Sequence, residues 1–384
     1  MRTPLVALII IAASPLVARA QDPPARPIEG AVRDAVKVFY SDRYVMGGHS
    51  WETTRKSGWV ASSLLANPIP GINIVEPRSL TEAELLRVHH PFYVNAVKSG
   101  DPRELAESQE FKWDASLFPM VLASNGGAVE AALTALREGG VSGSLSSGLH
   151  HAKFARGDGF CTFNGLALAA NAALEAGARR VLILDLDAHF GGGTHSLVGM
   201  DPRIRHVDIS TDRFDRYTPA EGNTAKLVLN PNLYLERIKK SLASLEGESF
   251  DLVIYNAGMD PSEKVPIGGL KGITNEVLAE REKLVFEWAA RRGTPTAFVL
   301  AGGYLGPNLD QAGLVELHRL TLDAAARARA AFKDWGSRLT GRTPVATTAS
   351  RSAGQVDRAP RGIGLSGALG ARTAVEAVER RRVR

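Results

Sequence analysis

The stretch Val181-Leu-Ile-Leu-Asp-Leu-Asp-Ala-His-Phe-Gly-Gly-Gly193 constrains this chain more than any other. Val181 to Leu184 is an uninterrupted apolar run, the pattern of a strand buried on both faces within a parallel sheet. Asp185, Asp187 and His189 then follow in alternation. Residues two apart on a strand point the same way, so an extended backbone here places Asp187 and His189 to reach one metal ion. Carboxylates at the carboxyl end of a buried strand contribute nothing to packing, and that end is where open α/β sheets place their ligands. The three glycines predict a tight turn that leaves room for close approach of a ligand.

The same design recurs downstream. Asp251-Leu-Val-Ile-Tyr-Asn-Ala-Gly-Met-Asp260 is an apolar run ending in a carboxylate, and Thr296-Ala-Phe-Val-Leu-Ala-Gly-Gly-Tyr304 ends in a glycine pair and a tyrosine. Val36 to Tyr40 and His206 to Ser210 read as further strands. Helical periods lie between them, at residues 119–139, 165–176, 233–245, 275–291 and 309–335. Thr81 and Glu84 form a capping-box pattern, and Asn164 is placed to cap the helix that follows it. Alternating strands and helices predict an α/β fold: one three-layer α/β/α domain on a mainly parallel sheet.

The termini differ from this body. Arg2, a short apolar run from Leu5 and Ala18-Arg-Ala20 have the order of a cleaved signal peptide, so residues 1–20 are read as a leader and the protein as exported, periplasmic or secreted. No segment reaches the ~20 apolar residues of a membrane span. Residues 21–338 form the expected domain, and residues 339–384, rich in arginine and without a sustained period, are read as a disordered tail. The formal net charge of +5 is misleading. Nine arginines against three acids from Thr340 onward, together with Arg2 and Arg19, exceed it, so the domain itself is mildly acidic and offers no electrostatic footprint for nucleic acid. The single cysteine, Cys161, excludes an internal disulfide, and its flanking Phe160 and Phe163 mark it as a buried small hydrophobe. His89 and His90 lack a third ligand at usable spacing and are read as structural. Nothing in the sequence indicates the oligomeric state.

Four strand ends or loops thus carry chemistry: His150-His151, Asp185/Asp187/His189, Asp260 and Tyr304. A parallel sheet gathers its strand ends on one edge. Two carboxylates and an imidazole with open positions left over suit a catalytic zinc ion, which activates water and polarises a carbonyl. Paired histidines supply a general base and acid, and a tyrosine hydroxyl can donate to an oxyanion. The combination describes metal-assisted hydrolysis of an amide.

Gly148-Leu-His-His-Ala-Lys153, Gly159-Phe-Cys-Thr-Phe-Asn164, Asp185-Leu-Asp-Ala-His189, Ala257-Gly-Met-Asp260 and Gly302-Gly-Tyr304 occur in the order found in the histone deacetylase and acetylpolyamine amidohydrolase superfamily, which the chain resembles from about Val36 to about Trp335. The resemblance implies an arginase/deacetylase-like fold and a narrow tunnel leading to one Zn2+. By motif position it implies Asp187, His189 and Asp260 as zinc ligands, His150 and His151 as the histidine pair with Asp185 holding His150, and Tyr304 at the oxyanion. Phe160, Gly159, Ile267 and Gly302 would line the substrate tunnel. A structural K+ is implied near Asp185, Asp187, His189 and the Asp208–Ile209 region. The implied activity is removal of an acetyl or other acyl group from a small-molecule or peptide amine.

Two positions depart from the family pattern. Gly192 stands where most members carry an aspartate that pairs with the second histidine, so His151 is expected to lack its carboxylate partner. This keeps open a second reading, a non-catalytic homologue that retains zinc or acyl-ligand binding. Ile267 stands where polyamine-selective relatives carry an acidic gatekeeper, so a cation-binding mouth is not expected. A ureohydrolase, which needs a second metal, is disfavoured by Gly191 and Gly258 at its additional carboxylate positions.

Overall fold

Eight short strands hydrogen-bond into a single sheet in the order β2-β1-β3-β8-β7-β4-β5-β6. In a computed structural model that describes residues 35–47, 49 and 52–338, these are β1 Val36–Phe39, β2 Ile72–Val75, β3 Val141–Ser144, β4 Val181–Asp185, β5 Ile204–Ser210, β6 Thr224–Leu227, β7 Leu252–Ala257 and β8 Thr296–Leu300. Every ladder is parallel. The leader read in residues 1–20 and the tail read in residues 339–384 lie outside the described residues. Among the described residues, no helix is long and apolar enough to cross a membrane.

The apolar runs split by parity, as a strand covered on both faces requires. Leu182 and Leu184 join Val253, Tyr255 and Phe298 in a core on one face, shared with the helices Tyr234–Ser244, Asn275–Arg292 and Gln311–Arg338. Val181 and Ile183 join Leu252, Ile254 and Val299 on the other face, shared with Pro91–Ser99, Leu117–Glu138 and Gly165–Glu175. Each fully buried aliphatic or phenyl side chain contributes about 1.5–3 kcal/mol relative to exposure. This is the expected three-layer α/β/α arrangement.

Three strands escape the sequence reading: β2 (Ile-Asn-Ile-Val), β3 (Val-Ser-Gly-Ser) and β6 (Thr-Ala-Lys-Leu). Each has only four residues and lacks a continuous apolar run. β3 is held between β1 and β8, and its Gly143 leaves space filled by the Phe298 ring, whose Cζ would lie 2.2 Å from an added Cβ. The helices Lys56–Ala66 and Pro91–Ser99 were likewise not expected.

The parallel arrangement brings the carboxyl ends of β3, β4, β5, β7 and β8 to one edge. Register is tight there: Asp185, the last residue of β4, pairs across to Asp208 on β5 and to Asn256 on β7. The site is built from the loops that leave this edge.

Candidate active site

Asp187 and His189 do not lie on the strand, because β4 ends at Asp185. They converge for another reason. The Asp187 carboxylate turns back on the chain and accepts from the His189 backbone N–H at 3.0 Å, a turn that short acidic side chains stabilise. Its second oxygen accepts from the Gly302 N–H at 2.8 Å, which ties it to the loop after β8. Asp260, from the loop after β7, accepts from the Ala188 N–H at 2.9 Å. One ligand atom from each of Asp187, His189 and Asp260 lies within 4.8 Å of the others, and all three residues are buried.

These groups fit a metal ion. Asp260 Oδ2 is buried without a hydrogen-bond partner, although it lies 3.0 Å from His189 Nδ1. Burial and the neighbouring Asp187 carboxylate raise the Asp260 pKa, a cost that a bound cation would remove. A Cβ on Gly302 would stand 2.0 Å from Asp260 Oδ2 and 2.6 Å from Asp187 Oδ2, so only glycine lets this backbone close over the cluster. Two carboxylates and one imidazole form a donor set suited to a catalytic metal with open positions.

His150 and His151 sit on the loop after β3, anchored by Asn164. The Asn164 side chain caps the helix Gly165–Glu175 by accepting from Ala167 N and donates Nδ2–H to the carbonyls of His150 and Ala152, both at 3.1 Å. His150 Nδ1 lies 2.8 Å from Asp185 Oδ2, and Asn256 donates to the other Asp185 oxygen at 2.8 Å. The two Nε2 atoms of the histidine pair are 3.0 Å apart, so a single proton stands between them. Burial alone would lower the pKa of His150, but the carboxylates of Asp185 and Asp187 outweigh it and raise it to about 10. Burial, followed by the adjacent His150 cation, pushes His151 down to about 4.

The structure corrects the reading of His151. Its Nδ1 lies 3.0 Å from Oδ2 of Asp215, so the histidine has a carboxylate partner despite Gly192. Asp215 belongs to the loop between β5 and β6, which sequence reasoning passed over. That loop also carries Phe214, edge-on to the His151 ring at 4.9 Å, and Tyr217, whose hydroxyl donates to Asp208 at 3.1 Å. The available signal was the run Asp212, Phe214, Asp215, Tyr217 directly after a strand end, but no spacing rule links it to His151.

A cleft of about 460 Å³ reaches the cluster, lined by His151, Gly159, Phe160, His189, Ile267 and Tyr304 among others. Phe160 lies 5.9 Å from the Tyr304 ring, and Phe214 completes the aromatic wall. Burial and the nearby Asp260 and Asp187 keep the Tyr304 hydroxyl protonated, as a donor must be. Gly302, expected on the tunnel wall, lies instead behind the carboxylates, where it donates to Asp187. The cleft also holds Glu110 and Asp212, so its lining is acidic despite the apolar Ile267.

The remaining candidates fall into place. Asp185, His206 and Asp208 form a second buried cluster with ligand atoms within 4.8 Å of one another, next to where the potassium ion was expected. His89 is buried and accepts from Asn164 N at 2.9 Å, and His90 caps the helix Pro91–Ser99, so both are structural. Cys161 is buried, and burial pushes its thiol pKa up.

A histone deacetylase domain matches residues 50–319. An uncharacterized protein of Picosynechococcus is 32% identical over 60% of this chain and 78% of its own length. Histone deacetylase 2 of Arabidopsis thaliana is 31% identical over 60% of this chain and 63% of its own length, so the chain spans just under two thirds of that relative. Among solved structures, acetylpolyamine aminohydrolase from Burkholderia pseudomallei superposes with a TM-score of 0.64 at 18% identity, covering 77% of this chain and 99% of the other, a likeness of fold.

Proposed function

The chain belongs to the histone deacetylase domain family, and from that premise we propose that it is a zinc-dependent hydrolase that removes an acetyl or other short acyl group from an amine. The observation that carries this reading is the meeting of Asp187, His189 and Asp260 with a carboxylate-backed histidine pair at the end of an aromatic cleft.

Zinc held by Asp187, His189 and Asp260 would supply a Lewis acid for the acyl carbonyl and for a water molecule. The chain's own groups divide the remaining work. His151 lines the cleft and, with its Nδ1–H held by Asp215, presents Nε2 to take a proton from the attacking water. His150, made strongly basic by Asp185, keeps its own proton and positive charge beside His151, so the proton that His151 takes from the water is the one returned to the leaving amine. The Tyr304 hydroxyl donates to the oxyanion. Phe160 and Phe214 exclude water from the flanks of a linear acyl-amine.

Glu110 and Asp212 in the cleft favour a substrate whose amine portion carries positive charge. The acetylpolyamines for which the Burkholderia aminohydrolase is named belong to that class. The non-catalytic reading rested on a missing partner for His151, and Asp215 removes that ground. The deciding experiment strips the full chain of metal, restores one equivalent of zinc and follows deacylation of an acetyl-lysine peptide and of an acetylated diamine. Zinc-dependent release of acetate supports the proposal. Stoichiometric zinc with no release from either substrate would overturn it.

A further inference from the structure

The geometry points to Asp215 as the positioning residue of His151, forming with Gly192 one steric unit in which the carboxylate enters from the β5–β6 loop and leaves no room for a side chain at residue 192. This rests on the reading of His151 as the group that takes the proton.

Three contacts hold the carboxylate in place. Asp215 Oδ2 lies 3.0 Å from His151 Nδ1 and accepts from the Gly193 N–H at 3.0 Å. Asp215 Oδ1 lies 3.2 Å from the Lys153 ammonium, and Lys153 is itself held by Asp158 at 2.8 Å. The Asp215 side chain is 9% exposed, so its bond to His151 is shielded from competing water. Asp215 adopts φ 54°, a left-handed conformation that aspartate and asparagine tolerate better than most residues. That backbone turn directs Phe214 onto the ring of His151 and Asp215 onto its nitrogen, so two adjacent residues fix the imidazole by its face and by its edge.

Gly192 is the complement. A Cβ there would lie 2.4 Å from the Asp215 carbonyl oxygen and 2.5 Å from its Oδ1, closer than real contacts allow. Any side chain at 192 therefore expels Asp215, and a carboxylate at 215 requires glycine at 192. The chemical consequence lies in the tautomer. A carboxylate accepts only, so it draws the neutral imidazole's proton to Nδ1 and leaves Nε2 as the acceptor, facing His150 Nε2 at 3.0 Å. An asparagine in its place can present either an acceptor or a donor, which removes that preference.

The test uses the full chain labelled with 15N-histidine, with the His151 resonance identified by its loss in His151→Gln. Wild type is expected to show His151 as the Nδ1–H tautomer. Asp215→Asn, which keeps size and backbone preference, is expected to mix the tautomers and to lower kcat by about 10–100-fold, the usual cost of removing such a supporting partner, with KM changed less than about twofold. Gly192→Ala should give the same change in the nitrogen spectrum. Glu236→Gln, on the exposed face of the helix Tyr234–Ser244 where it pairs with Lys240, should change neither quantity. An unchanged His151 tautomer in both Asp215→Asn and Gly192→Ala would overturn the assignment. The nitrogen spectrum needs no turnover, so it decides the role of Asp215 even if the wild-type chain hydrolyses nothing. Conversely, active wild type with unaffected variants would remove Asp215 and leave the hydrolase reading standing.

Discussion

His150 Nδ1 stands 2.8 Å from Asp185 Oδ2, and this contact makes the last residue of a buried strand the counter-ion of a loop histidine. Asp185 is fully buried, and its other oxygen accepts from Asn256, so the carboxylate cannot turn away. Replacing it with asparagine removes the charge that holds His150 protonated. Asp185→Asn is expected to lower kcat by about 10²–10⁴-fold, the range of general acid–base contributions. Rates against an acetyl-lysine substrate at matched zinc content provide the measurement, and a rate within threefold of wild type would refute the pairing's importance.

Tyr304 contributes through a single hydroxyl at the wall of the cleft. Tyr304→Phe keeps the ring that packs against Phe160 and removes only the donor. Turnover should drop by about 10²–10³-fold while bound metal, counted by elemental analysis, stays at wild-type level.

Metal should also hold the fold together. Asp187 and Asp260 are buried side by side, and burial together with repulsion between them raises the Asp260 pKa. A cation that binds only the folded chain stabilises it by about 2.7 kcal/mol at a hundredfold excess over Kd. Chelation should therefore lower Tm by several degrees, and zinc should restore it. Asp260→Asn should show a smaller response to zinc. A Tm indifferent to chelator would argue against a metal at this cluster.

His89 provides a test by acid. Burial lowers its pKa to about 4, and its Nε2 accepts from Asn164 N, which demands the neutral ring. The unfolded chain binds that proton near pH 6.5. Between those values the unfolded state holds a proton that the folded state refuses, so stability falls as pH drops, by up to about 3 kcal/mol for this group. Urea midpoints from pH 7.5 to 4.5 should show a shallower decline in His89→Gln than in wild type.

Asn164 joins the cap of one helix to the histidine loop. Asn164→Ala loses the cap, worth about 1 kcal/mol. It also strands the buried carbonyl of Ala152, at about 1–3 kcal/mol, whereas the His150 carbonyl keeps the Thr194 N–H. Both stability and kcat should fall, whereas Asn171→Ala, on the same helix but bonded only to Ala167 O, should affect kcat little.

Much of this protein was legible in the residues alone. Val181 to Leu184, Leu252 to Tyr255 and Ala297 to Leu300 announced buried parallel strands, because a strand covered on both faces is a near-continuous apolar run. Polar groups directly after such runs announced a site, because a parallel sheet sends those ends to one edge. The short strands β2, β3 and β6 were hidden because four residues flanked by polar loops carry no period, and their neighbours in the sheet supply the pairing that makes them strands.

What only the tertiary structure decided is which loop completes which group. The sequence placed Asp187 and His189 on a strand; the folded chain brings them together through a turn bonded to the loop after β8. The sequence at Gly192 signalled a missing carboxylate; the fold delivers one from Asp215, 64 residues from His151 along the chain. Periodicity follows from the local backbone and can be read along a line. The meeting of Gly192 and Asp215 depends on two loops filling one volume, and nothing in the spacing of residues along the chain encodes that.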